Sequence, residues 1–183
     1  MSCQDNSSIF KYYPSAIDYS EIDVEIINLD STQLNFKQIV SKVGNSDYGS
    51  RTVVVEVSEE NVIKRFIPFT YSDALYKNRN VLRIKSDSIL KLGGYPISEL
   101  DTILRKHYFN NGSNSNYSDS PDKAIVEINL DSTTEAHAIK KTLISVSNSF
   151  DKLKLTAKDS IVLRVFLSYS RPAEIPPMPI MVD

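Results

Sequence analysis

Residues 78–97 read NRNVLRIKSDSILKLGGYPI. Two short apolar runs, VLRI and ILKL, flank the polar KSDS, and Gly93-Gly94 closes the second run. Strand-forming runs separated by turn residues predict a hairpin, with strands over Val81–Lys85 and Ile89–Leu92. Pro96-Ile97 follows, and Ser98 then stands three residues before Asp101. That spacing resembles a capping box, with Asp in place of the longer Glu or Gln. Leu100, Ile103, Leu104 and His107 recur at helical spacing beyond it. The stretch therefore delivers a hairpin directly into a helix.

Working outward toward the C-terminus, residues 110–120 (NNGSNSNYSDS) form a polar loop too poor in apolar groups to fold alone. Residues 124–130 (AIVEINL) read as a strand, with Asp131, Ser132 and Thr133 offering a cap. A helix is expected from about Thr134 to Lys152, with Ala138, Leu143, Val146 and Phe150 turned inward. Residues 161–167 (IVLRVFL) read as another strand. The tail from 171 contains four prolines and can only be extended or turn-like. The second half thus reads ββαβαβ.

Toward the N-terminus, residues 1–20 read as a tether, with Ile9, Phe10, Tyr12 and Tyr13 able to dock in a single turn. Residues 22–29 (IDVEIINL) alternate and read as a strand. Asp30-Ser31-Thr32 supplies a cap for a helix through Leu34, Phe36, Ile39, Val40 and Val43 that Gly44 ends. Strands are expected over 52–57 and 61–69, so this half reads βαββ. VEIINLDS at 24–31 echoes VEINLDS at 126–132. Both an internal duplication and convergence of strand-cap-helix junctions explain the echo. The expected organisation is a tether (1–20), an N-terminal α+β unit (21–77), a second α+β domain (78–171) and a Pro-rich tail (172–183).

The composition narrows the function. With 41% hydrophobic residues, the 183-residue chain can build a packed core. A net charge of −2 without a basic stripe argues against nucleic acid as a partner. Apolar runs fall far short of the roughly 18 residues that span a bilayer. His107 and His137 lack ligand partners at metal spacing, which implies no metal. No GxSxG elbow frames a serine, and Gly93-Gly94 lacks the surroundings of a phosphate loop. The expectation is a protein that is not an enzyme and takes no cofactor. Glu135 with Lys140 and Asp151 with Lys154 read as charge decoration on helical faces. Tyr12, Tyr13, Tyr19, Tyr71, Tyr76, Tyr95, Tyr108 and Tyr117 lie near predicted element ends, suited either to rim packing or to an interface.

Cys3, the single cysteine, rules out an internal disulfide. Two readings of MSCQDNSS stand. Cys3 is an ordinary residue of a polar tail, or Ser2-Cys3 ends a lipobox, Met1 replaces a removed signal peptide and Cys3 is acylated.

The order of strands, glycine-proline phrase, cap and helix over residues 78–182 resembles the soluble domain of the ExbD/TolR family of biopolymer transport proteins. Gly94-Tyr95-Pro96-Ile97-Ser98-Glu99-Leu100 through Leu104 is similar to that family's phrase after its hairpin. Ser118 to Val126, SDSPDKAIV, resembles its entry into the next strand. Val146 to Leu153, VSNSFDKL, resembles a following helix, and the late IPPMPI also recurs there. Residues 1–77 do not resemble the family's linker, and its transmembrane helix and membrane aspartate have no counterpart here. Asp131 to Ala136 keeps the Asp and Thr of a further family phrase but not its Tyr.

The resemblance implies an ExbD/TolR-like α+β module in the periplasm, or more broadly the cell envelope. It implies binding to a protein partner or peptidoglycan, possible homodimerisation, and no motor role of its own. Membrane association would come only through a missing N-terminal anchor or an acylated Cys3. The alternative is an envelope lipoprotein of unrelated function tethered through Cys3. An open sheet exposes backbone groups at its edge, and the strands at 22–29 and 161–167 are the candidate edges.

Overall fold

The computed structural model describes residues 8–15, 23–46, 51–69, 76–157 and 160–170. These residues form three helices and two mixed sheets. The first sheet contains β1 (Ile9–Tyr13), β2 (Asp23–Asn28), β3 (Arg51–Glu59) and β4 (Val62–Phe66), ordered β1-β4-β3-β2. The β-branched run TVVVEV favours β3, which pairs antiparallel with β4 and parallel with β2. Helix α1 (Phe36–Ser46) makes the crossover from β2 to β3. Within the segment read as a tether, residues 9–13 form β1, parallel to β4. Tyr13 at its end is buried, stacked on Phe66 with ring centroids 4.8 Å apart.

The second sheet contains β5 (Val81–Lys85), β6 (Ser88–Leu90), β7 (Tyr95–Pro96), β8 (Ile125–Asp131) and β9 (Val165–Ser170), ordered β7-β6-β5-β8-β9. The hairpin of residues 78–97 is present as β5 and β6, with β7 returning along β6. Leu92, Gly93 and Gly94 all have positive φ (47°, 95° and 92°), a path the two glycines follow without side-chain clash. Helix α2 (Leu100–Tyr108) leads from the hairpin toward β8, and α3 (Ala136–Thr156) connects β8 to β9. Strands β5, β8 and β9 run parallel. The expected order ββαβαβ is therefore present over 81–170, with the short β7 added.

The caps differ from those expected. Helix α1 is capped by Asn35 rather than by Asp30-Ser31-Thr32. The Asn35 carbonyl oxygen of the side chain accepts from the Gln38 amide at 3.0 Å, and the Gln38 side chain accepts from the Asn35 amide at 2.9 Å. Asp30 instead accepts from the Ser58 amide at 2.9 Å and pairs with Lys140. Ser98 lies in a 3-10 turn over Ile97–Glu99 and makes no capping bond to α2. Its expected partner Asp101 is drawn away to Ser149 and Lys152 on α3. Helix α3 runs four residues beyond Lys152 and has no side-chain cap at its start. Strand β9 begins four residues later than expected, although Ile161 and Leu163 are buried in the extended approach to it.

One hydrophobic cluster joins both halves. It includes Ile27, Val55 and Phe66 of the first sheet, Leu82, Ile84 and Ile128 of the second, and Phe36, Ile39, Leu104, Val146 and Phe150 of the helices. Helix α1 packs on β3 and also on β8 and β9, while α3 packs on α2 and reaches β3. The two echoing segments occupy equivalent positions, each a strand entering the connection to a helix whose next strand lies parallel beside it. These connections touch. The amides of Phe36 and Lys37 donate to the carbonyls of Thr134 and Ser132 at 2.8 and 3.0 Å. Two of α1's otherwise unpaired first-turn donors are satisfied this way.

Candidate functional site

Strands β2 and β9, the two regions singled out as edges, are outermost in their sheets among the described residues. Their hydrogen-bonding sides follow from the parallel register. The Leu29 amide donates to the Glu56 carbonyl at 2.9 Å, so the alternate residues Ile27 and Glu25 also turn their backbone groups toward β3. Val24, Ile26 and Asn28 face outward. The Asn28 carbonyl accepts from the amides of Ser31 and Thr32, which confirms that orientation. Among the described residues the outward N–H and C=O of Val24 and Ile26 have no strand beside them. The Ile26 side chain is 44% exposed on the same strand. Charges flank this edge, with Asp23 bonded to Arg51 at 3.1 Å and Glu25 to Lys42 at 2.7 Å.

The start of β9 is covered. Phe69 forms a parallel bridge with Phe166, and its amide donates to the Val165 carbonyl at 3.1 Å. Their rings lie 5.6 Å apart. The proline-rich tail from 171, which could cover or extend this edge, lies outside the described residues, as does Cys3.

Each sheet holds a buried glutamate in a cross-strand polar ladder. Glu56 accepts from Asn28 at 2.9 Å and from Arg65 at 2.8 Å. Glu127 accepts from Arg83 at 2.7 Å and from Ser168 at 2.6 Å, and Ser168 in turn accepts from Asn129 at 2.7 Å. Pairing satisfies the carboxylates that burial would otherwise penalise.

A second polar group joins the first sheet to α3. Lys64 is 1% exposed, and its ammonium donates to Glu59 at 2.6 Å, to Ser147 at 3.1 Å and to Asn148. Burial pushes the Glu59 carboxyl upward, but Lys64 and Asn148 outweigh it and hold it below the ordinary range. Beside them the Tyr13 hydroxyl donates to Asp151 at 2.9 Å. Burial, reinforced by the Asp151 charge, raises the Tyr13 phenol. Asp151 also pairs with Lys11 and Lys140 with Asp30, so two residues read as helical decoration are tertiary contacts. Lys64 escaped notice because VIKRF alternates equally well in either phase, and its partners Ser147 and Asn148 are more than 80 residues away.

His107 is fully buried, and its Nε2–H donates to the Asn80 carbonyl at 3.1 Å. Burial, with the nearby Lys91 charge, lowers its pKa to about 4. His137 is exposed. Among the tyrosines, Tyr13, Tyr108 and Tyr117 are buried, Tyr12 and Tyr95 are half-buried and Tyr76 is exposed. Tyr19 and Tyr71 lie outside the described residues. The buried three pack the interior, and the Tyr108 hydroxyl donates to the Val162 carbonyl at 3.0 Å.

The fold and its edges define an α+β protein of two mixed sheets. Among the described residues, no helix is long and apolar enough to cross a membrane. Protein-family models, curated proteins and solved structures provide no match to the chain.

Proposed function

We propose that this protein is a non-catalytic binding module of the cell envelope, located in the periplasm and resembling the soluble domain of ExbD/TolR biopolymer transport proteins. Its partner is an extended protein strand added along β2, and the first such strand is β2 of a second copy. The observation that carries this reading is the pair of outward-facing backbone groups on Val24 and Ile26, next to the exposed Ile26 side chain. Strand addition satisfies such groups and draws affinity from main-chain bonds. The ββαβαβ order over 81–170 supports the family part of the proposal.

An antiparallel pair centred on Ile26 brings Ile26 opposite its own copy and Val24 opposite Asn28. Glu25 then lies opposite Ile27 rather than another carboxylate, so the edge charges do not oppose each other directly. Sedimentation of the full chain up to about 1 mM, the range of very weak contacts, tests the proposal. Self-association should weaken in Ile26→Lys, which places a charge on the edge. It should also weaken in Ile26→Pro, which removes an N–H facing away from β3. Circular dichroism checks that both variants keep the fold. A monomer at every concentration, or association unchanged in both folded variants, contradicts it. Binding of the wild type to peptidoglycan fragments alone would replace the protein partner with the wall.

A further inference from the structure

A pocket of about 300 Å³ opens beside the β5–β6 hairpin. Among the described residues its lining includes Arg79, Arg83 and Lys91 but no carboxylate, in a chain whose net charge is −2. The acidic partners of the two arginines lie outside the lining. Arg79 pairs with Asp119, and Arg83 Nε bonds to Glu127 at 2.7 Å. Lys77 also approaches Asp119, at 3.6 Å. Lys123 also acts on Asp119, so the two carboxylates face four arginine and lysine charges besides Lys91.

Among the described residues Lys91 has no acidic partner. Its ammonium donates to the backbone carbonyls of Val81 at 2.9 Å and Arg79 at 3.1 Å, with Asn78 at 3.4 Å. These carbonyls lie at the end of the 3-10 turn over Asn78–Asn80, so the lysine fixes that turn while leaving its charge uncompensated. Burial, followed by the Arg83 charge, lowers its pKa to about 8, which still leaves it largely protonated at neutral pH. Ser115 and Asn116 bring hydroxyl and amide groups to the same pocket, and the exposed Leu90 and Leu92 form an apolar part of its wall.

We infer that this pocket binds a small oxyanion, a phosphate or carboxylate group, through Arg83 and the field of Lys91 and Arg79. Only Nε of Arg83 is used by Glu127, so its terminal guanidinium nitrogens can meet the anion as a fork. The pocket size suits a small ligand, with its apolar portion against Leu90 and Leu92.

Nuclear magnetic resonance titrations of the labelled full chain with inorganic phosphate, and separately with succinate, distinguish the two sources. Ionic strength is held constant with sodium chloride. At least one anion should give saturable shifts at the amides of Asn78, Leu92, Ser115 and Asn116. Saturation by phosphate alone assigns the phosphate class, by succinate alone the carboxylate class, and by both a general oxyanion site. Ser115→Asp should weaken binding at least tenfold, because it adds a carboxylate to the lining from an exposed loop position. Lys91→Met should also weaken it, although its loss could loosen the turn; Ser115→Asp avoids that change. The proposal is overturned if neither anion saturates, if shifts scatter over the surface, or if Ser115→Asp binds as tightly as the wild type.

Discussion

Asn35 holds the first turn of α1 by two bonds at once, accepting from the Gln38 amide while Gln38 accepts from its own. Asn35→Ala should therefore destabilise the chain by about 1 kcal/mol, the usual loss for a cap. Ser98→Ala should change stability by less than about 0.5 kcal/mol, because Ser98 is exposed and makes no cap bond. Urea unfolding of the two variants distinguishes them. The same contrast shows why a cap spacing alone misleads. Asp101 can serve α2 or reach α3, and Ser149 and Lys152 on α3 win it. His107 gives a second prediction. Its ring stays neutral in the fold until pH falls to about 4, whereas unfolded it protonates near 6.5. Its contribution is fully present above pH 6.5 and is lost as pH falls toward 4, because the unfolded state binds the additional proton. At roughly 1.4 kcal/mol per unit, the loss reaches about 3 kcal/mol. His107→Gln should remove that part of the acid dependence between pH 7.5 and 4.5. Equal acid sensitivity in wild type and variant would assign the loss to other groups.

At the scale of elements, the polar loop at 110–119 is organised from within. Asn110 donates to the carbonyls of Asn114 and Ser118, both at 2.8 Å, and accepts from the Asn114 amide at 2.9 Å. The side-chain oxygen of Asn80 accepts from Ser118 at 3.2 Å and from the Asp119 amide at 2.9 Å. Ser118 and Tyr117 are buried as a result. Asn110→Ala should increase the rate of proteolytic cleavage within this loop by at least about tenfold, since several bonds of roughly 1 kcal/mol each are lost together. An unchanged rate would show that the loop opens freely in the wild type. Composition correctly marked this segment as a loop but could not reveal the asparagine that orders it. Local patterns were more informative for β5 and β6, whose runs and turn are adjacent in the chain. They failed for β1, where IFKYY becomes a strand only because β4, about fifty residues later, lies beside it. They also displaced β9, because Ile161 and Leu163 before it are buried ahead of the strand, whose first link to β8 is the Val126 amide donating to the Arg164 carbonyl at 3.0 Å. The candidate edge at 22–29 was legible from alternation; which of its backbone groups face outward required the register with β3.

At the scale of the whole molecule, the described residues share one hydrophobic core, so both sheets should unfold together as one cooperative transition. Lys64 joins the first sheet to α3 from a buried position. Lys64→Ala should cost about 3 kcal/mol by breaking a buried polar group, while far- and near-ultraviolet dichroism continue to report one midpoint. Two separated midpoints would show that the halves have independent cores. The central claim concerns the open edge of β2, and amide hydrogen exchange tests it most directly. Exchange is measured at Ile26 and Ile27 in the full chain from about 10 μM to about 1 mM. The account predicts that Ile26 exchanges rapidly when dilute and becomes protected as concentration rises, while Ile27 stays protected throughout by β3. An Ile26 that remains unprotected across the entire range, beside a protected Ile27, would contradict self-pairing along this edge.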